Sequence, residues 1–252
     1  MSPPARFRKT CRVRSYDVGH DQRLTLPSLL RELHDAAQDH AAEHGFGYRD
    51  LFSRKLAWAL VALDLRLHAR PTGGSTYEIA TSVAKHVGPV VYRDYLAGPA
   101  GAPFAVGQSM WVLIDLDKRR SAAPPDELRA ALAHLRAPLQ SVVPRVQRLL
   151  PREPTRDAVS HAHRVGYHDC DFNGHLNNVV AARWLLDAAQ RFQLDRLGQL
   201  ARLRITYHHE LRYLHRALAA ADYDHDGDQA ACTLLRDDGK VMANLVLDID
   251  AA

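Results

Sequence analysis

The feature of this chain that most constrains its fold is an internal repeat. Sliding the sequence against itself by 152 positions aligns residues 12–38 with residues 164–190 without a gap, and ten of these 27 pairs are identical. The identities include Asp17 with Asp169 and the run DAAQ that ends each segment. Since a repeated sequence is the signature of a repeated structural unit, the 252 residues predict two copies of one unit, each with its own core.

Each copy predicts one long helix followed by antiparallel strands. A short strand (about 7–16 and about 161–168) leads through a polar turn into a helix, about 26–44 in the first copy and about 176–197 in the second. Strand-like runs separated by glycine-containing turns follow at 56–69, 76–86, 90–98 and 104–117, and then at 201–214, 231–238 and 240–250. This order of elements is typical of an α+β fold.

The segment between the copies predicts a linker. Pro124-Pro125-Asp126-Glu127 marks the start of a short helix, and prolines at 138, 144, 151 and 154 interrupt the arginine-bearing stretch that follows. We therefore expect an N-terminal unit over 1–136, a linker over 137–158 and a C-terminal unit over 159–252.

Composition excludes several classes of protein. Hydrophobic residues at 46% and charged residues at 25% are ordinary globular values. No apolar run reaches the roughly 20 residues of a membrane helix, and the first residues lack the apolar core of a secretion signal, so we expect a cytoplasmic protein without membrane insertion. Three scattered cysteines without CxxC spacing argue against disulfides and structural zinc. The net charge of +4 mildly favours an acidic partner. Nucleic-acid binding is not indicated, because the sequence has no basic block with interleaved aromatic residues.

The stretch DCDFNGHLNN at 169–178 is a dense polar cluster, with two carboxylates, a thiol, three side-chain amides and an imidazole within ten residues. Where the second copy has Asp171, Asn173 and His175, the first has Gly19, Asp21 and Arg23. Capping of the following helix is the simple alternative, but residues needed only for a cap would be expected in both copies. The asymmetry therefore favours chemistry for these three side chains, and the shared Asp169 is interpreted as structural.

The pattern Asp-x-Asn-x-His-x-Asn-Asn at 171–178, followed six residues later by Trp184, resembles the signature of the acyl-acyl carrier protein thioesterases, which are double hotdog proteins. The run Asp-Cys-Asp before a long helix is also similar to hotdog acyl-CoA thioesterases of the hydroxybenzoyl type. Two further stretches, 118–129 and VYRDYL at 91–96, resemble the carrier-protein family. The resemblance implies a tandem hotdog in which each unit is an antiparallel sheet wrapped around a long helix. It also implies a catalytic C-terminal half, with the N-terminal half supplying an acyl pocket.

The same resemblance implies roles for individual residues. A further acid of the family, on a strand after the second helix, falls on Glu210 within Tyr-His-His-Glu-Leu, where the cysteine that follows it in many members is replaced by leucine. Asn173 would hold the thioester or a water, and His175 would stabilise charge or return a proton to the thiolate. Asp171 and Glu210 are both candidate activators: either one deprotonates water, or Asp171 attacks and forms an anhydride. We favour water attack with Glu210 as base and Asp171 as an orienting residue.

Backbone groups at the start of the second helix are the expected oxyanion donors. Gly174 and Leu176 lie there, at the positive end of the helix dipole. Cys170 is not favoured as a nucleophile, because neighbouring carboxylates would raise its pKa.

No cofactor or metal is expected. The run starting at Asp222 matches the opening of a calcium loop, but Thr233 stands where that loop needs a glutamate. The implied partner is an acyl carrier protein, docked by arginines at 145, 148, 152 and 156 or by Arg183 and Arg191, and the chain would be a monomer or a homodimer. The rival functions are a hotdog acyl-CoA thioesterase, a hotdog dehydratase or hydratase, and a non-catalytic acyl-binding protein.

Overall fold

The fold consists of two compact units. A computed structural model describes residues 6–99, 101–139, 144–189, 200–224 and 228–249. The first unit comprises residues 1–61 and 69–146, and the second comprises 62–68 and 147–252. The division at 146/147 falls inside the linker expected from the sequence, whereas the assignment of 62–68 to the second unit has no counterpart in the repeat.

The first unit is an antiparallel sheet with one long helix. Its elements in chain order are β1 (Arg6–Arg12), α1 (Leu26–Glu43), α2 (Tyr48–Ser53), β2 (Leu56–Leu67), β3 (Thr76–Val87), β4 (Val90–Gly98), β5 (Ala105–Asp115), β6 (Arg120–Ser121) and α3 (Asp126–His134). The strand order is β1-β3-β4-β5-β2, and β6 pairs with the end of β5.

The second unit repeats this plan. Its elements are β7 (Val159–Arg164), α4 (Asn178–Ala188), β8 (Leu200–Tyr207), β9 (Arg216–Tyr223), β10 (Gln229–Arg236) and β11 (Val241–Ile249). The strands lie in the order β8-β11-β10-β9-β7. Residues 62–66, in the part of β2 that belongs to this second unit, pair antiparallel with β8. An α+β tandem hotdog is thus confirmed.

The two long helices start on side-chain caps. Thr25 Oγ1 accepts the N–H of Ser28 at 3.3 Å, and Asn177 Oδ1 accepts the N–H of Val179 at 2.8 Å, so each cap satisfies one helix-start N–H. Gly45, at φ 74, follows the end of α1 in the left-handed conformation that glycine favours. The helices bury an apolar face, including Leu29, Leu30 and Leu33 in α1 and Ala182, Trp184 and Leu185 in α4.

Several predicted boundaries differ from the structure. The opening strands are shorter than predicted, because the chain turns through 3-10 segments at Ser15–Asp17 and Tyr167–Asp169. The second helix begins at Asn178 rather than 176, and its predicted continuation through 197 lies largely outside the described residues. The strand predicted over 201–214 ends at Tyr207, so Glu210 lies in a loop and not on a strand, which corrects the prediction.

Strand β9 was missed by sequence reasoning. Its sequence RALAAADY has four alanines and no β-branched residue, so intrinsic propensity gives no strand signal. Pairing with both β10 and β7 nevertheless makes it a central strand of its unit, and Ala219, Ala220 and Ala221 are buried. Tertiary pairing overrides propensity here.

The predicted linker is held against both units by side-chain hydrogen bonds. Val146 N–H donates to Gln108 Oε1 at 3.2 Å within the first unit. Within the second, Leu149 N–H donates to Thr206 Oγ1 at 2.9 Å and Arg152 N–H donates to Asn244 Oδ1 at 3.2 Å. The backbone N–H groups of this segment, which has no regular secondary structure, are thus satisfied by polar side chains on strands rather than by a neighbouring strand.

Candidate active site

The predicted cluster forms a tight turn before α4. The N–H of Asp171 donates to the carbonyl of His175 at 2.8 Å, and the N–H of Gly174 donates back to the carbonyl of Asp171 at 3.0 Å. Gly174 has φ 74, the left-handed conformation that this turn requires. An added Cβ at Gly174 would meet no heavy atom within 4 Å, so glycine lowers the cost of the backbone angle rather than providing space; the matching residue of the first unit, Gln22, adopts φ 58 with a side chain.

The Asp171 carboxylate stabilises this turn by accepting backbone hydrogen bonds. Its Oδ1 accepts the N–H of Asn173 at 2.8 Å and the N–H of His175 at 3.2 Å. A carboxylate that accepts two backbone N–H groups fixes the positions of both residues. One oxygen of Asp171 is therefore occupied by orienting the neighbours, which is the arrangement expected of an orienting residue.

His175 and Glu210 are brought together by the fold. His175 Nε2 lies 3.2 Å from Glu210 Oε2, although the two residues are 35 positions apart in the chain. The N–H of Leu176 donates to the carbonyl of Leu211 at 2.7 Å, and His175 forms an isolated bridge with Arg212. These backbone contacts bring the loop after β8 against the turn. The imidazole is mostly buried, with 18% of the side chain exposed, while 49% of the Glu210 side chain is exposed.

Asn173 presents an unused acceptor. Its Oδ1 is buried and has no hydrogen-bond partner within the described part of the chain. A buried polar atom without a partner costs free energy unless a water or a ligand completes it. Asn173 Oδ1 is thus an acceptor that the described part of the chain does not satisfy.

The backbone donors named from the sequence are already engaged. Gly174 N–H is bonded to Asp171 and Leu176 N–H to Leu211, so neither points freely at a substrate in this structure. In the first turn of α4, whose N–H groups have no acceptor inside the helix, the N–H of Val179 is taken by Asn177 Oδ1, which leaves the N–H groups of Asn178 and Val180. Asn178 lies two residues after Leu176 and four after Gly174, the two predicted positions.

The first unit builds the same turn and loop without the reactive set. Gln22 N–H donates to Gly19 O and Gly19 N–H to Arg23 O, as Gly174 and Asp171 do in the second unit. Leu24 N–H donates to Pro71 O at 2.8 Å, as Leu176 does to Leu211 O, so the loop after β2 matches the loop after β8 at a shift of 140 residues. Glu210 is therefore matched by Arg70, which forms an ion pair with Asp21.

The acids Asp169 and Glu210 differ in whether the first unit has a matching acid. Asp17 and Asp169 cap the same backbone position in both units, accepting the N–H of Arg14 at 3.0 Å and of Gly166 at 2.9 Å. This supports the structural interpretation of Asp169. The His175–Glu210 pair, in contrast, is replaced by arginines in the first unit, which cannot act as bases because they stay protonated.

The thiol of Cys170 is not activated. Burial, and then the carboxylates of Asp171 and Asp169, raise the pKa of Cys170. Its Sγ contacts the carbonyl of Gly166 at 3.5 Å. A thiol with a raised pKa is a poor nucleophile, in agreement with the sequence-based expectation.

Tyr207 contacts the start of α4 next to the candidate site, and sequence reasoning missed it. Its hydroxyl donates to the carbonyl of Asn178 at 2.8 Å and ties the end of β8 to the start of α4. Burial raises the pKa of this hydroxyl. Its place three residues before Glu210 was the available signal, but only the structure shows that it reaches the helix start.

Other candidates from the sequence are not assembled into sites. Asp222 is buried at the end of β9, where its carboxylate accepts from Thr155, and residues 225–227 of the calcium-like run lie outside the described residues. Within the ranges that the structure describes, no three histidine, cysteine or acidic side chains are placed to hold a metal ion. Of the proposed docking arginines, Arg152 lies 3.6 Å from Asp222, Arg183 lies 3.9 Å from Asp169, and Arg191 falls outside the described residues.

The first unit contains an apolar cavity next to α1. The space inside it that the centre of a water molecule can reach is about 40 Å³, whereas the figure of about 530 Å³ for all space between its walls includes open solvent. Its lining residues are Ala37, Gln38, Ala41, His44, Phe46, Trp58, Val83, Val91, Arg93, Trp111, Leu128, Leu132 and Leu135. A mostly apolar cavity with a few polar groups is the usual form of a small-molecule pocket.

These features define a tandem hotdog protein whose polar set is confined to its second unit. Two family models match the chain: the acyl-ACP thioesterase N-terminal domain over residues 4–132 and the acyl-ACP thioesterase C-terminal domain over residues 152–242. The chain belongs to the acyl-ACP thioesterase family, where ACP denotes acyl carrier protein. The family predicted from the 171–178 motif is thereby confirmed.

Individual relatives agree with this assignment. A palmitoyl-acyl carrier protein thioesterase of Cuphea hookeriana is 28% identical over 214 residues, covering 81% of this chain and 51% of that protein. The chain thus spans about half the length of the curated relatives that it matches.

Solved structures share the fold. An acyl-ACP thioesterase from Bacteroides thetaiotaomicron has a TM-score of 0.85 at 18% identity and covers 98% of both chains. The 12:0-ACP thioesterase from Umbellularia californica has a TM-score of 0.84 at 20% identity, covering 98% of this chain and 97% of that one. No helix in the described ranges is long and apolar enough to cross a membrane.

Proposed function

We propose that this chain hydrolyses the thioester between an acyl group and the phosphopantetheine arm of an acyl carrier protein, releasing a free fatty or polyketide-type acid. The observation that carries the proposal is the His175–Glu210 pair, 3.2 Å apart, on the turn whose Asn173, two residues before His175, has an unpartnered Oδ1. The first unit keeps the same backbone hydrogen bonds but lacks all three side chains. Such retention in one copy supports a chemical role rather than a structural one.

The reaction requires a base, an oxyanion site and a proton donor. Glu210 takes a proton from a water that Asn173 holds, and the hydroxide attacks the thioester carbonyl. The first-turn N–H groups of α4 stabilise the oxyanion, for which one donor typically contributes about 2.7–4 kcal/mol. When the carbon–sulfur bond breaks, His175 gives a proton to the leaving thiolate and takes up the one held by Glu210, whose Oε2 is 3.2 Å from Nε2. The products are a carboxylic acid and a free thiol, so one water is consumed for each thioester.

Asp171 orients this set in the proposed mechanism. Its Oδ1 is occupied by the N–H groups of Asn173 and His175, and this occupation supports an orienting role over direct attack. The oxyanion role of Gly174 and Leu176 would require their present hydrogen bonds to be shared or broken. We therefore place the oxyanion at the first turn of α4, beginning with Asn178.

The acyl chain is proposed to occupy the cavity of the first unit. Trp58 and the α1 residues Ala37 and Ala41 line it, in agreement with the acyl-pocket role expected of the first copy. Substituting Ala41 with phenylalanine would fill part of the cavity, and we expect turnover to shift towards shorter acyl groups. We also propose that the chain acts in the cytoplasm and that it is a monomer or a homodimer. Light scattering on the purified protein would test the oligomeric state.

A thiol-release assay tests the function. Wild-type protein should release thiol from acyl-carrier substrates, and substituting Asp171, Asn173, His175 or Glu210 with alanine should lower the rate by roughly 10²- to 10⁴-fold. Higher kcat/KM on the same acyl group carried by CoA would favour an acyl-CoA thioesterase. A change in chain unsaturation without thiol release would indicate a dehydratase or hydratase. Binding without any turnover would indicate an acyl-binding protein.

A further inference from the structure

The loop that carries Glu210 differs from its counterpart in the first unit in a consistent way. Val13 N–H donates to Ser75 O and Gly74 N–H to Val13 O in the first unit, and Val165, His215 and Leu214 repeat these bonds in the second. Residues 70–76 therefore match residues 210–216 position by position. The first-unit sequence is RPTGGST and the second-unit sequence is ELRYLHR. Over 72–76, small neutral residues are replaced by larger ones, three of them Arg212, Tyr213 and Leu214, whereas Arg70 is replaced by Glu210.

Leu214 occupies a strained position in this loop. Its φ is 68°, whereas the matching residue, Gly74, has φ 83°. A left-handed conformation costs a residue with a Cβ roughly 1–2 kcal/mol, and glycine avoids that cost. The strained leucine does not gain burial in return, because its side chain is 48% exposed and the neighbouring Tyr213 is 52% exposed. Strain of this kind without a packing reason is typical of functional sites.

Arginines surround this exposed pair. Arg164 of β7 and Arg216 of β9 lie directly opposite each other in the sheet, where like charges are destabilising. The matching pair of the first unit, Arg12 and Thr76, carries only one charge. Arg212, in the loop itself, replaces Thr72. Within the part of the chain that the structure describes, none of the three second-unit arginines forms an ion pair. A backbone hydrogen bond from Asp237 N–H to Arg216 O, 3.3 Å long, fixes the start of β9 beside this loop.

We propose that Tyr213 and Leu214, together with Arg164, Arg212 and Arg216, form the docking surface for the acyl carrier protein, an acidic partner with an apolar contact. These five residues are termed the docking loop surface. The surface is continuous with the catalytic set, because Glu210 belongs to the same loop and His175 forms a bridge with Arg212. A protein that delivers a thioester to Glu210 must approach beside this loop. This inference rests on the proposed function and assigns the partner to a surface other than the arginines predicted from the sequence.

The test transplants the first-unit loop into the second. The variant Arg212→Thr/Tyr213→Gly/Leu214→Gly/Arg216→Thr copies residues that already adopt this backbone, and glycine at 214 removes strain, so the fold should be retained. The probe is a bacterial acyl carrier protein loaded with a palmitoyl group, compared with palmitoyl-pantetheine, which lacks the protein. In the variant, we expect KM for the carrier-bound substrate to rise at least about tenfold. The fold increase in KM for palmitoyl-pantetheine should be at least about fivefold smaller. Increasing salt should raise KM in the wild type and have a smaller effect in the variant.

A matched control is Tyr16→Ala, which removes a 97% exposed tyrosine of the first unit and should leave both KM values unchanged. Direct titration with the holo carrier protein, which bears no acyl group, measures docking without turnover. Equal effects of the loop variant on both substrates, or unchanged affinity for the holo carrier, would overturn the docking proposal while leaving the hydrolase intact. If the wild type releases no thiol from either substrate, the proposed function itself fails. Loss of binding to anionic vesicles, with unchanged carrier kinetics, would indicate a membrane surface instead and also overturn the proposal.

Discussion

Replacing Asp171 with asparagine separates the two mechanisms that the carboxylates of this site allow. Asparagine keeps the size of the side chain and an oxygen that accepts the N–H groups of Asn173 and His175, now at 2.8 and 3.2 Å. It cannot attack a thioester as a carboxylate. The substitution therefore preserves an orienting role and abolishes a nucleophilic one.

The expected loss of stability follows from these two hydrogen bonds. A hydrogen bond to a charged group contributes about 1.5–3 kcal/mol and a neutral one about 0.5–1.5 kcal/mol. Two weakened bonds on a half-buried residue should therefore cost about 1–2 kcal/mol in the free energy of unfolding. At this chain length, that corresponds to a decrease in Tm of about 2–8 °C. Asp171→Ala removes both acceptors and should be less stable than Asp171→Asn.

The kinetic outcome decides between the mechanisms. If Asp171 orients the site, Asp171→Asn should lower kcat by about tenfold, a barrier increase of about 1.4 kcal/mol. If Asp171 forms an anhydride, the loss should reach about 10⁴-fold or more, as for other covalent nucleophiles. Thiol release at saturating acyl-carrier substrate measures kcat, and thermal denaturation confirms that the variant is folded. A folded Asp171→Asn protein with a 10⁴-fold loss would refute water attack with Glu210 as base.

Three further predictions concern single residues. Glu210→Gln should lower kcat by about 10²- to 10⁴-fold because the amide cannot accept a proton. Glu153→Gln, an exposed acid of the same unit, is its matched control, and a similar loss in both would contradict the assignment. Gly174→Ala should lower the free energy of unfolding, measured by urea titration, by about 1–2 kcal/mol. The φ of 74 at this position is unfavourable for alanine, although the added Cβ would meet no neighbouring atom. If the variant is not destabilised, the turn relaxes to accommodate alanine. Cys170→Ala should keep thiol release within about threefold of wild type, since burial and the carboxylates of Asp171 and Asp169 raise the pKa of the thiol and disfavour a nucleophilic role. A large loss of rate would show that the thiol takes part in the reaction.

The sequence by itself determined the repeat, the family and the local part of the site. Asp171, Asn173 and His175 lie within five residues, so one turn holds them together, and the hydrogen bonds of that turn depend on residues that are neighbours in the chain. The first long helix was predicted closely, at 26–44 against Leu26–Glu43, because its proline and glycine signals act locally. The asymmetry between the copies also needed no structure, since the 152-residue shift aligns both turns without a gap.

Only the tertiary structure decided the contacts that depend on distant parts of the chain. Glu210 was expected on a strand, but it reaches His175 from a loop, which the backbone bond between Leu176 and Leu211 holds in place. Strand β9 forms from an alanine-rich segment because two neighbouring strands pair with it. The loop equivalence occurs at a shift of 140 rather than 152, and the two loops share almost no residue types, so sequence comparison could not align them. A hydrogen bond between distant segments depends on where folding places both backbones, and local sequence does not encode that placement.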